Sequence, residues 1–177
     1  MKLVNRRTYI NGGERLENSA EHSWHLAMAC WSMASYFEKD LSMEKLLKLA
    51  LVHDLGEIDA GDTFLYAENR SQAHIAERQC VGRFARDPGN FIPVLCELWE
   101  DQEAGLSPEA KVLKVVDRLL PFLHNIASEG KTWRAQGIRR SQVANAHSFI
   151  GQEYPTLWRW MSEKIDDATA AGWLIDE

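Results

Sequence analysis

The chain has 177 residues, of which 45% are hydrophobic, so it is long enough for one well-filled core and short for two. Its net charge of −6 argues against a broad surface for a nucleic-acid polymer, because such a surface needs clustered Lys and Arg. The three cysteines form no C-x-x-C pair, the start lacks the apolar stretch of a signal peptide, and no window is long enough to span a membrane. These features predict a soluble cytoplasmic protein with a single domain over residues 1–177.

Apolar residues recur at helical spacing along nearly the whole chain, and strict alternation is hard to find, so the sequence predicts an all-α fold. Asn18 and Glu21 have the spacing of a capping box that begins the first helix. The apolar stripe of this helix consists of Trp24, Ala27, Met28, Trp31 and Ala34. Ser42 caps a second helix, which is apolar almost all round and runs to the dipeptide His53-Asp54.

A loop is predicted over residues 59–63, and the rest of the chain has helical spacing again. The predicted helices lie around residues 73–84, 91–99, 109–128, 141–150 and 155–171, with breaks at 87–90 and 129–133. The helix over residues 109–128 carries Asp117 among apolar residues and Pro121 four positions later. Because Pro121 cannot donate to the carbonyl of Asp117, we expect a kink or local unwinding beside this carboxylate.

The dipeptide His53-Asp54 is the most informative feature of the chain. A carboxylate at the tip of a buried helix is costly unless it is paired, so we expect a cation there. His22 and Asp117, on two other predicted helices, add a second imidazole and a second carboxylate. Mixed nitrogen and oxygen ligation suits one divalent transition metal (Mn, Co, Fe, Ni or Zn), and four ligands leave positions for water and substrate on an octahedral ion.

Further polar residues lie close to these four in the sequence. Glu57 is four residues after His53, and Asp62 lies on the adjoining loop, where the two carboxylates can orient water and protonate a leaving group. Basic residues gather near the start of an otherwise acidic chain, and a small anion can bind there. They are Lys2, Arg6, Arg7 and Arg15.

Four motifs resemble the H…HD…D signature of the HD-domain metal-dependent phosphohydrolases. Their spacing is closest to the branch that contains the bacterial 5′-deoxynucleotidases. The motifs are residues 20–23 (AEHS), 52–57 (VHDLGE), 60–62 (AGD) and 116–118 (VDR). The resemblance covers roughly residues 5–135, and it implies a helical bundle of the HD-domain type.

The resemblance also implies roles for individual residues. The positions that match the metal-binding motif are His22, His53, Asp54 and Asp117. Glu57 and Asp62 match the catalytic acids, and Arg7 matches the residue that holds the phosphate, with Arg15 as a further substrate contact. The family's two-metal members have additional His ligands between the HD pair and the last Asp. This chain has only His74 there, which favours a single metal ion, and the resemblance further implies a homodimer.

We therefore predict a metal-dependent phosphomonoesterase that acts on nucleoside 5′-monophosphates or similar small phosphate esters, without a nucleic-acid polymer or a membrane as partner. Thr8 follows Arg7 where the deoxynucleotidases have Trp, so the sequence does not predict which phosphate ester is the substrate. The alternatives are hydrolysis of a phosphodiester or a guanosine polyphosphate, and a non-catalytic helical module that binds metal or nucleotide. Glu57 and Asp62 favour catalysis, because a purely structural site needs neither of them.

Overall fold

The computed structural model describes residues 1–37, 40–67 and 70–176, and most of them are helical. The helices are α1 (Ser19–Met33), α2 (Met43–Val52), α3 (Glu57–Ala60), α4 (Arg70–Ala85), α5 (Leu95–Ala104), α6 (Pro108–Ala127), α7 (Lys131–Gln136), α8 (Arg140–His147), α9 (Ile150–Glu153) and α10 (Pro155–Ala170). The mostly helical class is thus confirmed. Within the described ranges, no helix combines the length and the apolar character needed to cross a membrane.

Among the described residues, a small two-stranded sheet departs from the predicted all-α class. Strands β1 (Asn5–Ile10) and β2 (Arg15–Asn18) pair with each other. The strands escaped prediction because β1 begins with three polar residues and shows no alternation of apolar and polar side chains. Its alternation is in burial instead: Arg6 is mostly buried, Arg7 is exposed and Thr8 is buried.

Helix α1 begins where the sequence predicts. The side chain of Asn18 accepts hydrogen bonds from the backbone N–H groups of Ala20 (3.1 Å) and Glu21 (3.0 Å), and Glu21 accepts one from the backbone N–H of Asn18 at 3.2 Å. This capping box satisfies the otherwise unpaired donors of the first turn and fixes the entry of the chain into the helix. As a result, His22 lies one turn inside a well-anchored helix.

The predicted apolar stripe of α1 is wrong for its three largest residues, whereas Ala27 of the same stripe is buried. Trp24 is 64% exposed and Trp31 is 60% exposed, and Met28 is also exposed. The buried face consists of Ser19, His22, Ser23, Leu26, Ala27 and Cys30. The helix packs against α2 through these smaller and polar side chains, so hydrophobicity alone selected the wrong face.

Helix α2 delivers the His-Asp pair. The Ser42 hydroxyl accepts a hydrogen bond from the backbone N–H of Lys45 at 3.3 Å, which is the predicted cap. The helix ends at Val52, and a tight turn leads through Gly56 into α3. A Cβ atom on Gly56 would lie 2.5 Å from the Cβ of Glu77, so only glycine permits the close approach of α4 to this turn. The loop predicted over residues 59–63 begins only at residue 61 in the structure, because Asp59 and Ala60 belong to α3.

Helix α6 carries Asp117 and differs in one respect from expectation. It runs without interruption through Pro121, so the predicted unwinding beside Asp117 does not occur. A single proline removes one hydrogen bond, and the remaining bonds of this long helix keep it continuous.

Several other boundaries also differ from the prediction. Phe91 precedes α5 and is almost fully exposed. Lys131 begins α7 inside the predicted break at 129–133. The region 141–150, predicted as one helix, is covered by α8 and the start of α9.

The chain divides into two compact units. The first consists of Met1–Arg6, Glu17–Thr63 and Ala67–Asp117, and the second of Arg7–Leu16, Phe64–Tyr66 and Arg118–Glu177. In the first unit, a core of Val52, Val81, Leu95 and Trp99 joins α2, α4 and α5. In the second unit, the ring of Phe122 packs against those of Trp133 and Trp160, at centroid distances of 5.6 and 6.1 Å. A single domain over residues 1–177 stays a prediction.

Candidate metal centre

The first unit contains all the predicted metal ligands and both predicted catalytic acids. His22 Nε2 lies 3.0 Å from Asp117 Oδ1, and His53 Nε2 lies 3.9 Å from the same oxygen. The centroids of the two imidazole rings are 5.3 Å apart. These three residues offer ligand atoms that all lie within 4.8 Å of one another, which is the spacing that a single bound cation requires.

His53 is oriented as a ligand. Its Nδ1 lies 2.9 Å from the backbone carbonyl of Ala50, so Nδ1 carries the proton that the carbonyl accepts. Its buried Nε2 faces Asp54 Oδ1 at 3.0 Å but makes no hydrogen bond of acceptable geometry. Once a cation displaces its proton, Nε2 has a lone pair held between two carboxylates and is a good ligand for a divalent metal ion.

The sequence names Arg6 only as one of four basic residues where a small anion can bind, yet Arg6 lies among these carboxylates. Its Nη1 donates to Asp54 Oδ2 at 2.7 Å and lies 3.8 Å from Glu57 Oε1 and 3.7 Å from Asp62 Oδ1. Its Nε lies 3.4 Å from Oε2 of the buried Glu17. Burial lowers the pKa of Arg6, but the neighbouring carboxylates, Asp54 first, raise it by more, so the guanidinium stays charged.

The centre carries an excess of negative charge. Its carboxyl groups are those of Glu17, Asp54, Glu57, Asp62 and Asp117, all with side chains at most 16% exposed. Among the described residues, these five carboxyl groups have three basic side chains, Arg6, His22 and His53, within 4 Å of one or more of them. Such an imbalance is costly in a buried site, and a divalent cation would remove it. The donor set, two imidazoles with carboxylates, therefore fits a divalent transition metal.

The pKa of the Glu57 carboxyl group is far above its usual range. Burial, and after it the charge of Asp54, raises the pKa of Glu57 to about 8, against the opposing effects of Arg6 and of Ser19. The Ser19 hydroxyl donates to Glu57 Oε2 at 2.6 Å and fixes the orientation of the carboxyl group. Glu57 thus holds a proton near neutral pH at a defined position beside the metal ligands.

Asp62 reaches the centre because the chain turns at Gly61. Gly61 ends α3 with φ of 77°, a conformation that favours glycine, and the next residue points its carboxylate toward Arg6. Asp62 therefore lies beside the guanidinium of Arg6, as Asp54 and Glu57 do, although Asp62 is outside α3.

Arg7 and Arg15 belong to the second unit. Arg7 donates through Nη1 to Gln136 Oε1 at 3.1 Å, and its guanidinium lies 5.4 Å from the ring centroid of Phe64. Arg15 donates to the carbonyl of Leu16 at 3.1 Å. Their assignment to the substrate stays a prediction. Successive residues of a strand face opposite sides, so the choice between Arg6 and Arg7 required a strand that the sequence did not reveal.

Metal affinity should rise with pH up to about pH 9. Burial lowers the pKa of His53, but Asp54 and Asp117 outweigh it and raise the pKa to about 9, so a cation must displace the proton of His53. We expect the apparent Co²⁺ affinity of the metal-free protein to increase by about tenfold per pH unit below this value and to level off above it. Isothermal titration in buffers of differing ionisation enthalpy will count the protons released. A pH-independent affinity would contradict this prediction.

The comparisons with known proteins agree with this geometry. The HD domain family model matches residues 1–158. The zebrafish (Danio rerio) protein named 5′-deoxynucleotidase HDDC2 is 34% identical over 162 residues, which cover 88% of this chain and 78% of that protein. The 5′-deoxynucleotidase YfbR of Salmonella paratyphi B is 27% identical over 128 residues, which cover 64% of each chain.

A solved structure is similar over nearly the whole chain. The crystal structure of the predicted metal-dependent phosphohydrolase from Magnetospirillum magnetotacticum MS-1 superposes with a TM-score of 0.88 at 32% identity, covering 98% of this chain and 88% of that one. These matches confirm the predicted family, the mostly helical fold and the enzyme class, a metal-dependent phosphohydrolase. The family model includes every residue of the candidate metal centre. The chain therefore belongs to the HD domain family.

Proposed function

We propose that this protein hydrolyses nucleoside 5′-monophosphates, with His22, His53, Asp54 and Asp117 as ligands of one divalent transition metal ion. The observation that carries the proposal is the buried excess of carboxylate around two converging imidazoles. A site that only stabilised the fold would not need Glu57 and Asp62 beside it. The substrate class is supported by the relatives named 5′-deoxynucleotidase.

The protein's own residues divide the work of the reaction. When bound, the cation supplies positive charge to the phosphate and lowers the pKa of water. Asp62 takes a proton from the attacking water as its oxygen bonds to phosphorus. Glu57, which holds a proton near neutral pH, gives it to the sugar oxygen as the phosphorus–oxygen bond breaks. Arg6 lies within 4 Å of both carboxyl groups and holds them in place.

A substrate panel tests this proposal. The metal-loaded protein should release phosphate from deoxyribonucleoside and ribonucleoside 5′-monophosphates with Mn²⁺, Co²⁺, Ni²⁺, Mg²⁺ or Zn²⁺. Nucleoside 3′-monophosphates, a bis(p-nitrophenyl) phosphodiester and guanosine polyphosphates serve as the comparison substrates. Faster turnover of the diester or of the polyphosphate would overturn the monoesterase assignment. If the protein binds nucleotides but releases phosphate from none of these esters, it is a non-catalytic binding module.

We also infer a homodimer in the cytoplasm. Trp24, Met28 and Trp31 occupy one stripe of α1 at helical spacing, and all three are exposed. Symmetric pairs are the commonest oligomers, and a second copy would cover this stripe. Light scattering at micromolar concentration should give a dimer mass, and Trp24→Lys with Trp31→Lys should give a monomer. A monomer mass for the unaltered protein would contradict the dimer.

A further inference from the structure

Glu17 is a buried carboxylate that neither the sequence motifs nor the proposed reaction uses. It is the third residue of β2 and lies directly before the Asn18 cap of α1. Its side chain is only 2% exposed. A carboxylate with so little access to water needs a reason for being retained, because an apolar side chain at this position would avoid the cost of desolvation.

One oxygen of Glu17 serves two neighbours. Its Oε2 lies 3.2 Å from His22 Nδ1 and 3.4 Å from Arg6 Nε, and both are charge contacts without the geometry of a hydrogen bond. Glu17 also offers a carboxylate oxygen within 4.8 Å of the ring nitrogens of His25 and His124. The far side of each neighbour is directed at the metal centre. His22 Nε2 lies 3.0 Å from Asp117, and Arg6 Nη1 lies 2.7 Å from Asp54. Glu17 thus lies behind the residues that line the centre.

A carboxylate beside Nδ1 of a histidine affects how that histidine binds a metal ion. A neutral imidazole carries one proton, and the nitrogen that keeps it cannot bind a metal ion. A carboxylate beside Nδ1 holds the proton there, leaves the lone pair of Nε2 for the metal and makes Nε2 more basic. His53 achieves the same result with the backbone carbonyl of Ala50, whereas His22 has Glu17.

We propose that Glu17 is a positioning residue that keeps the proton of His22 on Nδ1, so that Nε2 binds the metal ion, and that orients Arg6 toward Asp54. The inference rests on the metal site of the proposed function. Partners of this kind typically change metal affinity by about 10- to 100-fold when they are removed. Glu17 acts through His22 and Arg6 and does not touch the substrate in this scheme.

The test uses Co²⁺ and the full chain. We expect Glu17→Ala to bind Co²⁺ about 10- to 100-fold more weakly than wild type in calorimetric titrations. Glu17→Gln should fall between the two, since an amide oxygen beside Nδ1 can accept its proton but carries no charge. At saturating Co²⁺, the visible absorption bands of both variants should differ from wild type, because the orientation of the His22 ring sets the geometry around cobalt.

Glu109 provides the matched control. It is also a buried glutamate of the first unit, with 6% exposure, and it accepts a hydrogen bond from the backbone N–H of Ser42 at 2.9 Å. Glu109→Gln and Glu109→Ala should leave the Co²⁺ affinity and spectrum unchanged even where they lower the melting temperature. If Glu17→Ala fails to fold, Glu17→Gln still decides the question, because it is nearly isosteric.

Two results would overturn the inference. One is a Glu17→Gln protein with the Co²⁺ affinity and spectrum of wild type. The other is an equal loss of affinity in the Glu109 variants, which would mark a general effect of removing a buried charge. Failure of the wild-type protein to bind Co²⁺ would instead refute the metal site itself, and the role of Glu17 would fall with it.

Discussion

Asp54→Asn should abolish stable binding of a divalent metal ion and, with it, phosphate release. Removing a residue that merely supports a ligand costs about 10- to 100-fold in metal affinity, so removing a ligand should cost more than about 100-fold. The helical fold should persist, because the centre already carries excess negative charge and Arg6 keeps Glu17, Glu57 and Asp62 as neighbours. Metal content by mass spectrometry, circular dichroism and phosphate release measure the three consequences.

Asp59→Asn is the matched control for this variant. Asp59 lies on α3, two residues after Glu57. Its side chain is exposed and pairs with Arg83 at 2.7 Å. Exposed pairs of this kind contribute about 0 to 1 kcal/mol to stability, so this change should leave metal content and turnover alone. Wild-type metal content in the Asp54→Asn protein would remove Asp54 from the ligand set.

Glu57→Gln should keep the metal ion and nucleotide binding while losing most turnover. General acid–base catalysis contributes about 100- to 10,000-fold, which corresponds to about 3 to 5 kcal/mol of barrier. The amide can still accept from Ser19 but cannot give a proton to the leaving oxygen. Asp62→Asn should act in the same direction, because the group that accepts the proton from water would be missing. Phosphate-release assays at saturating metal and substrate will measure the loss of kcat in each variant.

The pH dependence of turnover separates Glu57 from a merely structural carboxyl group. Because burial and Asp54 raise the pKa of Glu57 to about 8, the proton-donating form predominates below this pH and is lost above it. Wild-type kcat should therefore fall with rising pH, with a midpoint at or below about 8 because a bound cation lowers the pKa of Glu57, and the residual activity of Glu57→Gln should lack that limb. Glu44→Gln, an exposed change on α2, should keep the wild-type profile. An unchanged profile in Glu57→Gln would exclude Glu57 as the proton donor.

The sequence was sufficient to predict the features that rest on local chemistry. The Asn18 capping box, the Ser42 cap and the helix that ends at His53-Asp54 all follow from short-range spacing, and the structure contains them. His22, His53 and Asp117 were grouped by chemical type from three separate segments. Their convergence in the folded chain agrees with that grouping.

Features that depend on pairing between distant segments could not be predicted in this way. Arg6 faces the carboxylates only because β1 forms and alternates its side chains, and Glu17 is buried only because β2 pairs with β1. A short polar strand carries little periodic signal. The sequence therefore indicates Arg6 only as a member of the basic cluster near the start of the chain, and it does not indicate Glu17.

The face of α1 illustrates a second limit. The periodic signal weighs large apolar residues most heavily, and it selected the stripe with Trp24 and Trp31. Of that stripe the helix buries Ala27, and its other buried residues include His22, Leu26 and Cys30. Small side chains allow the helices to approach closely, and only a close approach brings His22 near the residues of α2 and α6.

Metal titration of turnover tests the central claim most directly. The metal-free protein should release no phosphate from a deoxynucleoside 5′-monophosphate, and activity should rise in proportion to added Co²⁺ or Mn²⁺. The account predicts saturation at one ion per chain, bound where His22, His53 and Asp117 converge and Asp54 lies 3.0 Å from His53 Nε2. Activity that survives complete metal removal, or that appears only after a second ion is bound, would contradict it.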